Sequence, residues 1–168
     1  MAAPPSLSAN QGACGARKAR ASVASFEMAF LPDLARSLNN LANRQGDVEQ
    51  AEEALETAQE AVRLRRELAE RNRDAFLPDL ATSCGALGSV RLGMQQYKEA
   101  AQAFAEGIRM LVPFIEEHPL VPHIQLAFKL CRDYIEAAKQ AGIEPDQRLL
   151  TEAIRVLGPY LNQSGDSQ

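Results

Sequence analysis

Residues 29–35 read AFLPDLA, and the same seven letters return at residues 75–81, 46 positions further on. Self-similarity at a period of about 20–50 residues marks an architecture of stacked units. The residues after each copy define the unit. After Leu31, apolar or small residues fall at Leu34, Ala35, Leu38, Leu41 and Ala42; after Leu77 they fall at Leu80, Ala81, Cys84, Leu87 and Gly88. Both runs keep the i, i+3, i+4, i+7 spacing of an amphipathic helix. Each is succeeded by a break near Gly46 or Gly93 and then a second stripe of the same kind. The first of these is Ala51, Ala54, Leu55, Ala58, Ala61 and Val62; the second is Tyr97, Ala100, Ala101, Phe104, Gly107 and Ile108. The unit is helix, turn, helix, and it occurs twice.

Composition agrees. Apolar residues make up 46% of the 168 positions but aromatics only 5%, which suits an Ala- and Leu-rich helical stack and not a sheet. The length fits one domain with a buried core. A net charge of −4 argues against nucleic acid, because a phosphate binder needs a basic excess. No apolar run reaches the roughly 18 residues of a membrane span. The three cysteines, Cys14, Cys84 and Cys131, are scattered and odd in number, so they read as reduced thiols of a cytoplasmic chain.

The pattern resembles a tetratricopeptide repeat. In the second copy Leu87-Gly88 stands at that family's Leu-Gly pair, Ala100 at its small position in helix B, Phe104 at the bulky one and Gly107 at the next small one. In the first copy Leu38, Gly46, Ala51, Leu55 and Ala58 fill comparable places. Asn39 replaces the usual Gly there, and Gln95 replaces the turn Gly of the second copy. The long B helices and the LPDLA entry are similar to the longer variant, of about 42 residues, in kinesin light chains and bacterial signalling ATPases. The resemblance covers roughly residues 29–114. It implies an all-α fold: a right-handed α-solenoid of antiparallel helix pairs, here the C-terminal end of an array.

The chain then divides into a leader (1–24), a repeat domain (25–161) and a polar tail (162–168). Within the domain, repeats over about 29–74 and 75–118 are followed by capping helices over 123–161. The leader lacks the apolar content to order itself. Arg17, Lys18 and Arg20 among serines, with no acid before Glu27, also fit a mitochondrial transit peptide. Helix B of the first repeat, from about Val48 to Arg71, carries its acids early and Arg63, Arg65, Arg66 and Arg71 late, a solvated face that complements the helix dipole. Asp74 is the expected cap of the next helix, with Pro78 in its first turn. After His118-Pro119 a helix over about 123–141 presents Ile124, Ala127, Cys131, Tyr134, Ile135 and Ala138 on one face. Gly142 ends it, and Pro145 opens a last helix burying Leu149, Leu150, Ala153, Ile154, Leu157 and Tyr160. This pair reads as a terminal cap and not a third copy.

Chemistry is sparse. The two histidines, His118 and His123, sit beside prolines at a helix junction, and with Cys131 they match no metal-ligand spacing. No glycine pattern forms a phosphate loop. Neither a catalytic set nor a cofactor is expected, so the chain reads as no enzyme. What remains is binding. In tetratricopeptide domains the A helices line a concave groove, and in the first copy Arg36 and Asn40, with Asn43 and Arg44 a turn on, would face it. They resemble the start of the basic and Asn set with which chaperone-docking members clamp a carboxylate, an Arg fork and an Asn amide serving one anion. Ala86 stands where the second helix should supply Asn, and no third A helix brings the remaining bases. A plain polar face is the competing reading. The expected partner is another protein or peptide, an acidic one suiting the arginines. The alternative is self-association through an uncovered N-terminal helix.

Overall fold

The computed structural model describes residues 29–45 and 50–161, and over these the chain is all-α. Helix α1 covers residues 29–45, α2 Ala51–Arg71, α3 Arg73–Gly93, α4 Tyr97–Glu117, α5 Val121–Gln140 and α6 Gln147–Leu157, the last followed by a 3₁₀ turn, Gly158–Tyr160. The expected leader, the break at Gly46, the helix start at Val48 and the polar tail lie outside the described residues.

Local chemistry sets the boundaries, in places against expectation. Asn72, not Asp74, caps α3: its side chain accepts the Ala75 N–H at 3.2 Å. The helix therefore starts at Arg73, and Pro78 falls in its second turn instead of its first. The carbonyl that Pro78 leaves without a donor belongs to Asp74, which is exposed to solvent. Helix α4 likewise continues through Pro113, whose ring faces solvent. At the end of α5, Gly142 adopts φ +66°, its N–H reaches the Lys139 carbonyl (3.1 Å), and the Ile143 N–H reaches that of Ala138 (3.0 Å). This is the expected left-handed stop. Pro145 precedes α6 without entering it; Asp146 is the cap, accepting from the Arg148 and Leu149 N–H groups at 3.0 and 3.2 Å.

Consecutive helices pack against each other, and α5 also touches α3 while α6 touches α4. The contacts nest about the turns. Gly88 meets Phe104 and Gly107 approaches the Ala81 carbonyl, so α3 and α4 run antiparallel about Gln95. Arg65 pairs with Asp79 across the α2–α3 turn in the same way. The 46-residue period of the sequence continues beyond its two legible copies. Ala35, Ala61, Ala81 and Ala127 are fully buried, Gly107 is buried, and Ala153 is 2% exposed. Small residues at these columns let helices approach closely. Helices α5 and α6 keep this spacing of small buried residues, although they share little sequence with the first two pairs.

Two expectations about burial fail. Ile154 is 68% exposed because among the described residues the last pair has neighbours on one side only, and Ile135 is 46% exposed because it lies on the same open helix face as exposed Ser89 and Asn43, one and two periods earlier. The charged face of α2 also differs from expectation. Arg63 is solvated, as expected, and held by Glu60 and Glu67. Arg65, in contrast, is 3% exposed and paired with Asp79. Asn39, at the place of the usual Gly, is buried and donates to Ser83 Oγ at 2.8 Å, tying α1 to α3.

Candidate functional site

The four residues singled out in the first helix all lie on its exposed side. Arg36 stands 3.5 Å from the Asp33 carboxylate, both side chains about two-thirds or more exposed. Asn40, Asn43 and Arg44 form no side-chain hydrogen bond with a described residue. They share a face, but no second cation converges on Arg36 there. Buried Arg65 lies behind it, engaged by Asp79. Burial, with the nearby charge of Arg36, lowers the Arg65 pKa, yet a guanidinium starts so high that it stays charged.

The 46-residue register carries this face through the fold. Arg36, Asn40 and Asn43 correspond to Thr82, Ala86 and Ser89 on α3, and to Phe128, Arg132 and Ile135 on α5. Thr82, Ser89, Arg132 and Ile135 are exposed, and Ala86 and Phe128 half-buried, in helices whose other sides are packed. On α5 the face opens into a cavity of about 480 Å³ lined by Val121, Ile124, Gln125, Phe128, Lys129, Arg132 and Tyr160. Its floor is apolar and its rim cationic. Lys129 reaches Asp133 at 2.7 Å and Arg132 reaches the same carboxylate at 3.0 Å, so two cations share one half-buried anion. A positive charge is left over beside an apolar hollow. That arrangement suits a bulky apolar side chain next to a carboxylate.

These α5 residues escape a reading of the sequence in which no third helix supplies bases. The signal is there: extending the spacing that links Asp33 to Asp79 by one more period reaches Gln125, in the middle of the cavity wall.

Elsewhere the chemistry is structural. A second cavity, about 350 Å³, lies between α2, α3 and α4, but its Arg63 and Arg66 are already taken by Glu60, Glu67 and Glu106. His118 and His123 flank the Phe114 ring, with centroids 4.9 and 5.5 Å away. Burial pushes the Cys84 thiol up to about 12, with Glu106 adding to the shift and Arg66 opposing it, and burial alone takes Cys131 to about 11. Neither is a nucleophile at neutral pH. Among the described residues no group of three His, Cys, Asp or Glu could hold a metal, and no helix is long and apolar enough to cross a membrane. Comparison with protein-family models, curated protein sequences and solved structures returns no match for this chain.

Proposed function

We propose that the chain is a non-enzymatic interaction module of tetratricopeptide type, a right-handed α-solenoid whose odd-numbered helices line a groove for a segment of another protein. The observation that carries the reading is the exposed to half-buried face from Arg36 on α1 through Thr82 on α3 to Phe128 and Arg132 on α5, ending at an apolar cavity with a cationic rim. The fit of Phe104 against Gly88 supports the repeat type. So does the positive φ of Gln95, at the turn where the family uses glycine. The partner is an extended segment with a bulky apolar residue flanked by acids; Arg132 and Lys129 meet its carboxylates, and Arg36 adds a weaker contact because Asp33 already neutralises part of its charge.

The test is binding of labelled synthetic peptides to the full chain: acidic peptides with a central Leu or Trp, against versions with lysines in place of the acids. The acidic set binds and the basic set does not. Arg132→Ala weakens binding by roughly 1.5–3 kcal/mol, the scale of a charged hydrogen bond, and Phe128→Ala weakens it too. Raising salt weakens the wild type more than Arg132→Ala, which has already lost the screened charge. Arg63→Glu, on the solvated side of α2, leaves binding unchanged. If Arg63→Glu abolishes binding and Arg132→Ala does not, the groove is the wrong surface.

A further inference from the structure

The two ends of the described stack expose apolar side chains that the interior pairs cover. Leu34 and Leu41 on α1 are 48% and 46% exposed, yet Leu80 and Leu87, one period later, are buried. Ile154 on α6 is 68% exposed, yet Val62 and Ile108, in the same register on α2 and α4, are buried. These two open patches are related. Val62 falls in one apolar cluster with Leu80 and Leu87, the joint between the first pair and the second. Ile154 is the open counterpart of Val62, and Leu34 and Leu41 are the open counterparts of Leu80 and Leu87. One end of the described stack therefore carries one half of an interface the chain already makes internally, and the other end carries the second half.

We infer that the chain associates head to tail with a second copy of itself, Ile154 of one copy packing against Leu34 and Leu41 of the next. Continuity with the existing joint argues for a copy of this chain, since the register that seats α3 and α4 on α1 and α2 would seat a new α1 and α2 on α6. Such a contact joins two different surfaces and does not close on itself, so it propagates. It goes beyond the groove reading and does not depend on it.

Sedimentation equilibrium of the full chain over a wide concentration range tests this. The expected average mass climbs with concentration and passes that of a dimer. Leu34→Glu and Ile154→Glu each hold the chain at the monomer mass, with circular dichroism showing the helices intact; Leu41→Lys serves as a second variant of the α1 face. An equimolar mixture of Leu34→Glu and Ile154→Glu restores a species of twice the monomer mass and nothing larger, because each variant retains one competent face. A wild type that stays monomeric throughout, a mixture that fails to pair, or a dimer that survives Ile154→Glu and so joins like face to like would each overturn the inference.

Discussion

Phe104 occupies the volume that a side chain at Gly88 would need. A Cβ on Gly88 would lie 2.5 Å from Phe104 Cε1 and 2.7 Å from its Cδ1 and Cζ, while the ring itself is wholly buried. Gly88→Ala therefore overpacks the α3–α4 joint and costs about 1–3 kcal/mol. Phe104→Ala leaves a cavity and costs about 3–5 kcal/mol. Because the added methyl group enters the space the ring has left, the double variant is less destabilised than the sum of the two. Urea unfolding of all four proteins measures the coupling.

Gln95 holds the turn between α3 and α4 at φ +59°, a conformation in which its Cβ crowds the backbone. Gln95→Gly relieves that crowding, worth about 1–2 kcal/mol, less the greater entropy glycine gives the unfolded chain. A small net gain in thermal midpoint is expected. Gln95→Val, branched at Cβ, should lower it.

The ion pair between Arg65 and Asp79 is asymmetric: the arginine side chain is 4% exposed and the aspartate 49%. Asp79→Asn strands a buried guanidinium, whereas Arg65→Met leaves a carboxylate that water reaches. The first should cost more, in the range of about 3–5 kcal/mol for a buried pair broken on one side. Denaturation midpoints that rank the two variants the other way would show that packing of the arginine stem, and not its charge, dominates.

Acid should loosen the last pair. The Leu149 N–H foremost, then the Arg148 N–H and the Arg109 charge, hold the Asp146 carboxyl below its usual range against opposing desolvation. Hydrogen bonds from Arg155, reinforced by its charge, do the same for Glu116 and Glu152. The unfolded chain binds more protons at these groups, so stability rises with pH through their titration. Their contribution is complete above the ordinary carboxylate value of about 4 and is lost as pH falls through the depressed folded-state values. Unfolding midpoints should be level from pH 7 to about 5 and then decline. Asp146→Asn, which keeps a capping oxygen but no charge, should flatten that decline.

The fold is legible where identical residues recur. AFLPDLA and the two stripes behind it locate α1 to α4, and Leu87-Gly88 with Phe104 sets their joint. The last two helices are legible as helices but not as a continuation of the 46-residue spacing, because they keep only what packing demands. Ala127 and Ala153 repeat in size, while Asp33 and Asp79 give way to Gln125. Arg65 reads as a solvated base because the stripe of charges on α2 does not say which one turns inward; its partner lies 14 residues on, across a turn. Pro78 falls a turn later than its spacing from Asp74 implies, because Asn72 outcompetes Asp74 for the cap. The cavity on α5 becomes visible only once the third period is in hand.

Among the described residues, helices pack on their neighbours in sequence and on the next one but one. Rigidity should accordingly be graded along the chain, since each pair is held only by those beside it. Helices α3 and α4 have a pair on either side, and their amides should exchange with deuterium slowest. Those of α6, open on the face that carries Ile154, should exchange faster and without waiting for the whole molecule to unfold. The molecule should behave less as one all-or-none body than as a short row of units that can peel from an end.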